Sequence, residues 1–342
     1  MRVLVVSDYG WTTGGTEEFV NALLASAARR HQVELLTWAD SRAPKPPGIE
    51  VVGVENGDVL AVWSAVARAD VVAVVTSFNL RLLAHTALGA LARGSTPVVT
   101  ILQTSAHSSP ASLAASRQRG WLSELISISQ VVVGVSDAVM DGLHELAREI
   151  SDPPPLILIE NGARLVDHAV RHRGHRRVLY IGRPTDSKGY PAFLRLVGEL
   201  RSEGLEFLAN TVSVAPPITD PDVRYSRCLN DDELLSLFAE VDLVVAPYWR
   251  ADGLPLALLE AINCGVPVLG FDSPAVGPLL RRHGQAVVDC DPGALIRAVR
   301  VWSSGCLSIE TPRPGRVQGL DEQAEGHVDL IAAIHLAVDR GR

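Results

Sequence analysis

Two acids, Asp252 and Glu260, stand eight residues apart in the stretch 242–270, DLVVAPYWRADGLPLALLEAINCGVPVLG. The first lies in a polar elbow and the second in the helix after it, beyond the carboxyl end of a strand, where open parallel sheets bind their ligands. A turn former and a solvated helix face are the plainer readings of the same two residues, and composition does not choose between them. Arg183 and Lys188 form a second pair in GRPTDSKG, directly after the apolar run 178–181. An arginine fork binds two oxygens of a diphosphate together, and lysine adds a compact mobile charge. Standing alone, the pair reads as two cations on a solvated loop. Gly14-Gly15, between the first apolar run and a helix, lets backbone amides approach phosphate oxygens. Such pairs are also common in turns, and the G-x-G-x-x-G spacing of dinucleotide sites is absent.

These groups need a scaffold of strands and helices in alternation. Apolar runs predict strands at 3–6, 33–36, 51–54, 70–75, 97–102, 131–135 and 157–159. Helices are expected over 16–30, with Thr16 as cap and Glu17 and Glu18 in its first turn, over 60–67, over 80–92 and after Ser136. Segment 108–120 reads as a mobile helix or loop. Past the basic run RLVDHAVRHRGHRR (164–177), strands are expected at 178–181, 211–214, 223–225, 243–246, 266–269 and 286–288. Helices are expected over 190–201, from Asn230 with Glu233 three residues on, over 256–263, over 291–301 and over 321–338. Repeated strand–helix alternation implies parallel α/β sheets.

The order of the motifs carries a family resemblance. Asp252, then Glu260-Ala261, then Cys264-Gly265-Val266-Pro267-Val268 resembles the signature of retaining GT-B glycosyltransferases of family 4, the glycogen-synthase and phosphatidylinositol-mannosyltransferase type (glycosyl transferases group 1). The Gly14-Gly15 loop, Pro97-Val98-Val99-Thr100, Asn161-Gly162 and Gly182-Arg183 with Lys188-Gly189 follow the same family in order. Three positions depart from it: Asp252 replaces a glutamate, Pro184 a leucine-like residue, and Gln103 a histidine that helps hold the donor sugar. Gln103 still offers an amide donor, and His107, four residues on, is a second candidate from the loop.

The resemblance implies an α/β, GT-B protein with two Rossmann-like domains facing a cleft and a C-terminal helix crossing back to the first. The expected divisions are an acceptor domain over 1–162, a basic linker over 163–177, a donor domain over 178–318 and the crossing helix over 319–342. The donor would be a UDP- or GDP-sugar, with no permanently bound cofactor and no metal. Arg183, Lys188 and the amides near Gly14 and Gly15 would meet its diphosphate. Glu260 would accept from the ribose hydroxyls and Asp252 would hold the transferred sugar. Gly253 and Leu254 would present amides near the phosphate, and Pro255 would shape the turn. Asp220-Pro221-Asp222 has Asp-x-Asp spacing, but it lies in a turn without phosphate-site context.

Composition bounds the rest. The chain of 342 residues has room for two cores, and 47% apolar with 20% charged residues is globular. A formal net charge of −8 argues against a nucleic-acid partner, and the basic run lacks interleaved aromatics. Four scattered cysteines suggest neither a disulfide framework nor a zinc site, which fits a reducing, cytoplasmic setting. No signal peptide or membrane span is expected. Arg117 and Arg119 beside Trp121 and Leu122 would serve a lipid acceptor, but a small soluble hydroxyl acceptor, such as a natural-product intermediate, is preferred. A GT-B nucleotide-sugar hydrolase or epimerase, and a non-catalytic nucleotide-sugar-binding protein, are the competing readings.

Overall fold

The computed structural model describes residues 1–7, 15–39, 47–55, 58–76, 86, 89–90, 96–103, 113–163, 176–211, 215–226, 231–249, 255–274, 276–307, 309, 312 and 317–340. The chain forms two compact units, one of Met1–Asn161 with Leu320–Arg342 and one of Gly162–Gly319.

The first unit holds a parallel sheet of β1 (Arg2–Val6), β2 (Gln32–Trp38), β3 (Glu50–Val54), β4 (Val71–Thr76), β5 (Val98–Leu102), β6 (Val131–Gly134) and β7 (Leu156–Leu158). Its order is β3-β2-β1-β4-β5-β6-β7. β4, β5 and β6 are buried along their whole length and consist almost wholly of valine, leucine, isoleucine and alanine. Such runs form where helices cover both faces of a parallel sheet, and β-branched side chains fit its pleated surface. The covering helices are α1 (Gly15–Ala28), α2 (Val59–Arg68), α3 (Leu113–Ile128) and α4 (Asp137–Ala147). Asp58 and Ser136 cap α2 and α4, each accepting a first-turn amide, from Ala61 and Val139.

The second unit repeats the plan with β8 (Arg177–Ile181), β9 (Glu206–Asn210), β10 (Val223–Ser226), β11 (Leu243–Ala246), β12 (Val268–Phe271) and β13 (Ala286–Val288). The order is β10-β9-β8-β11-β12-β13, again parallel throughout. Its helices are α5 (Tyr190–Leu200), α6 (Asp231–Glu240), α7 (Leu256–Asn263), α8 (Gly277–Arg282) and α9 (Pro292–Ser303). The last helix, α10 (Leu320–Arg340), returns to the first unit and packs along α1. Arg29 meets Glu325 at 2.8 Å and Arg30 meets Asp329 at 2.7 Å on the exposed side of that contact. On its buried side, His327 sits edge-on to Phe19, with ring centroids 5.0 Å apart.

Several sequence expectations shift. Helix α1 begins at Gly15, so Thr16 lies inside its first turn and is not the cap. A strand not expected from the sequence, β9, pairs in register with β8 from Arg177↔Glu206 to Ile181↔Asn210, and the strand expected at 211–214 lies outside the described residues except for Thr211, just past the end of β9. β12 starts two residues later than expected and takes in Phe271. Within β12 only glycine fits at position 270, since a Cβ at Gly270 would lie 2.6 Å from Leu280 Cδ1 and 2.9 Å from Ala246 O. Arg177 belongs to β8, where it pairs with Glu206 at 2.6 Å, and not to the linker. The helix expected at 80–92 lies almost wholly outside the described residues, and segment 108–120 enters α3 at Leu113.

Candidate functional site

In both sheets the strand order reverses once, between β1 and β4 in the first unit and between β8 and β11 in the second. Loops diverge at the carboxyl ends of such neighbours and leave a crevice, the usual ligand position in open α/β sheets. Arg183 and Lys188 follow β8, and the segment carrying Asp252 connects β11 to α7. Gly15 opens α1 just after β1. Topology therefore assigns the separate motifs to one crevice in each unit.

The loop after β8 is pinned at many points. The Tyr180 hydroxyl donates to Arg183 O at 2.8 Å, Thr185 N donates to Arg183 O at 2.8 Å, and Gly189 N donates to Asp186 O at 2.9 Å. Trp249 N, from the strand end opposite, donates to Ser187 O at 3.0 Å. Gly189 has φ +67°, and a Cβ there would stand 1.7 Å from Pro247 O. Only glycine lets the loop close against the end of β11.

This closure sets the two cations differently. The Arg183 side chain is exposed and makes no ion pair among the described residues. Lys188 is only 9% exposed, with its Nζ 4.8 Å from the centre of the Tyr248 ring. An ammonium over an aromatic face gains about 0.5–2 kcal/mol when water is excluded. Tyr248 is fixed in turn, since its hydroxyl donates to Ile181 O and its carbonyl accepts from Ser273 Oγ at 2.6 Å. Burial raises the Tyr248 and Tyr180 hydroxyls well above the ordinary tyrosine range, so both remain neutral donors. Sequence reading passed over Tyr248, although an aromatic directly after a strand-ending proline marks a side chain at the crevice.

Glu260 is the fifth residue of α7, mid-helix rather than near its start, and is 6% exposed. The solvated-face reading of Glu260 is thereby replaced by a buried carboxylate. Burial, and then the Glu260 charge, push the Cys264 thiol up to about 12, so that cysteine stays protonated and inert. Pro255 precedes α7 in extended conformation (φ −75°, ψ 104°), and no side chain caps the helix. An uncapped N-terminus presents amides and a positive dipole end, which suit an anion.

In the first unit Gln103 follows β5, 5% exposed, with its amide N bonded to Thr76 O at 3.0 Å. Gln103 Nε2 and Thr76 Oγ1, at the ends of adjacent strands, are buried with no hydrogen-bond partner among the described residues. A buried polar atom left in that state costs roughly 1–3 kcal/mol, so such a pair marks a place where a ligand or water completes the bonding. Thr211 Oγ1, just past β9, is in the same condition; it was read as a strand residue and had no signal of its own. Gly14, His107, Asp252, Gly253 and Leu254 lie outside the described residues.

The Asp220–Asp222 pair is structural. Both carboxylates meet Arg201, at 3.2 and 2.9 Å, and Asp220 Oδ1 accepts from Asp222 N at 2.9 Å. Among the described residues no three His, Cys, Asp or Glu gather as a metal site, and no helix is long and apolar enough to cross a membrane.

Comparison with known proteins follows this geometry. The family model described as Glycosyl transferases group 1 matches residues 175–303, within the second unit. No curated protein matches the chain by sequence. Solved structures match it over its whole length. Anabaena HepE in complex with UDP-glucose superposes with a TM-score of 0.71 at 14% identity, covering 100% of this chain and 99% of that one. Sucrose-phosphate synthase from Thermosynechococcus elongatus gives 0.68 at 15% identity, covering 99% and 98%. The catalytic domain of starch synthase IV from Arabidopsis thaliana, bound to ADP and acarbose, gives 0.64 at 12% identity, covering 98% and 99%. The fold is GT-B: two Rossmann-like units, with the C-terminal helix packed on the first.

Proposed function

We propose that the protein is a retaining glycosyltransferase that moves a sugar from a nucleoside-diphosphate sugar to a hydroxyl of a small soluble acceptor, without a metal. The observation that carries this reading is the buried Lys188, held by Tyr248 beside exposed Arg183 at the switch point of the second sheet. A diphosphate leaving group develops negative charge as its bond to the sugar breaks. A cation already desolvated and fixed at that point, as Lys188 is, stabilises it without reorganisation, an effect of about 3–4 kcal/mol for a single well-placed donor. The family match over 175–303 and the ligands of HepE support the same assignment.

Each motif residue then has a task. Arg183 grips the diphosphate as a fork, and Lys188 meets the oxygen that departs from the sugar. Buried Glu260 accepts from the ribose hydroxyls, and Asp252 holds hydroxyls of the transferred sugar. Gly253 and Leu254 offer amides, Pro255 sets their turn, and the amides at Gly14 and Gly15 approach the phosphates from the first unit. Gln103, with its unpartnered buried amide, takes the sugar-holding place that a histidine would fill, and His107 is the second candidate there. The bond from the anomeric carbon to the diphosphate breaks, and the acceptor oxygen bonds to the same face. Its proton passes to the departing phosphate oxygen, so no protein nucleophile is required.

Calorimetry with UDP, GDP and ADP and their glucose or mannose conjugates tests the reading. Saturable binding of one donor, lost in R183A and weakened in E260A, supports it. A folded protein that binds none of them overturns it. Turnover of the donor with water alone would assign a hydrolase, and tight binding without turnover over a broad acceptor panel would assign a binding protein. Anomeric retention is read by NMR of the product.

A further inference from the structure

A cavity in the second unit is lined by the pinned loop, by α5 and by Trp249. It measures about 570 Å³ and is lined by Asp186, Ser187, Arg195, Trp249 and the prolines 191 and 292. None of these residues belongs to the diphosphate assignment above, and the volume falls within the range of small-molecule sites, about 300–1,000 Å³.

Its walls are of three chemical kinds. Trp249 supplies a flat apolar surface, 38% exposed although indoles are mostly covered in folded proteins. That surface is held in place: the ring packs on Phe271 with centroids 4.6 Å apart, and the backbone is tied to Ser187. Asp186 and Arg195 supply one acceptor and one forked donor, both exposed, and neither forms an ion pair among the described residues. Ser187 adds a hydroxyl, 3.1 Å from that of Thr185. Among the described lining residues, Asp186 carries one negative charge and Arg195 one positive charge, which balance.

One acid and one base of balanced charge favour hydrogen bonding to a neutral polar ligand over capture of a free phosphate. An aromatic wall with an acceptor and a donor fork beside it matches a ring that has an apolar C–H face and a rim of hydroxyls. We infer that this cavity is a binding subsite for a neutral hexopyranose unit, stacked on Trp249, with its hydroxyls held by Asp186 and Arg195. The subsite needs neither Arg183 nor Glu260, and it holds whether or not the switch-point crevice transfers a sugar.

Glucose, maltotriose and cellotriose, titrated into the millimolar range and read by saturation-transfer NMR, are the probes. Saccharide binding is expected to persist in R183A, to fall about tenfold in W249A, and to fall severalfold in D186N and in R195M. UDP and GDP binding should be unchanged in D186N and R195M. Because W249A removes a packed ring, thermal melting and the two exposed-residue variants guard against a folding defect. Absence of saccharide transfer signal, or a signal unaltered in D186N, R195M and a folded W249A, overturns the subsite. Loss of saccharide binding in R183A together with donor binding would instead place both in the diphosphate crevice and also overturn it.

Discussion

The two units share one strand order, with β3-β2-β1-β4-β5-β6 in the first matching β10-β9-β8-β11-β12-β13 in the second, and β7 as an added edge. They use that order differently. At the switch point of the second unit a loop closes on glycine and buries a cation against tyrosine. At the carboxyl ends of β4 and β5 in the first, neutral polar atoms are left buried without partners. The helix after the first strand also differs: α5 is covered by α9 of its own unit, and α1 by α10 from the far end of the chain. One topology thus holds a cation by residues of its own unit in one case, and in the other leaves neutral polar atoms at the strand ends and a first helix whose cover arrives last. Fixed charge suits an anion, whereas neutral amide and hydroxyl groups select by hydrogen-bond geometry.

The largest effect that would break this contrast is on transfer. K188A and D252A should each lower kcat/KM by about 10²–10³ with the thermal melt preserved; unchanged turnover in both would remove the charged-site assignment. Next, G189A should destabilise the second unit by more than about 3 kcal/mol, since its Cβ cannot share space with Pro247 O. Denaturant melts reporting on each unit would show the first one unaffected.

A pH titration sharpens the other side. His327 is buried on α10, its Nδ1 2.8 Å from Gln323 O and its Nε2 unpartnered, and burial lowers its pKa to about 4. Below the unfolded value of 6.5 the unfolded chain takes up a proton that the folded chain refuses. Stability of the first unit is therefore full above pH 6.5 and falls as pH drops from 6.5 to about 4, by about 1.4 kcal/mol for each pH unit and about 3 in total. H327L should flatten the urea midpoint of that unit across this window. Smaller again, E260A should weaken donor binding about tenfold in calorimetry, equivalent to about 1.4 kcal/mol. At the bottom of the scale, R30A removes an exposed ion pair to Asp329 and should shift the melt by less than about 1 kcal/mol.

Much of this architecture is legible without coordinates. The boundaries of α7 fall at Leu256 and Asn263 as the breaker residues Pro255 and Cys264-Gly265 indicate, with Gly265 at φ +82°. Strongly apolar runs such as 71–75 and 98–102 become central strands, and Asp291 before Pro292 caps α9 through the amide of Ala294. Misplacement occurs where local signals compete. Glu206–Asn210 is a strand because it pairs with β8, a long-range partner that its own residues do not announce. Thr16 has capping chemistry, but the helix already includes Gly15.

Residue type and order by themselves determined the alternation of strands and helices, the ends of the helices with strong punctuation, and the succession of Gly-Gly, Arg-Lys and acid motifs. These are local properties, set by side-chain period and backbone preference within a few residues. Tertiary structure decided that Lys188 is buried and Arg183 is not, that Glu260 is enclosed, and that Trp249 walls a separate cavity. Each depends on which strand ends become neighbours. Tyr248 reaches Ile181 across 67 residues of chain, and Ser273 reaches Tyr248 across 25. Burial and partner geometry come from those long-range pairings, to which a short sequence window contains no signal.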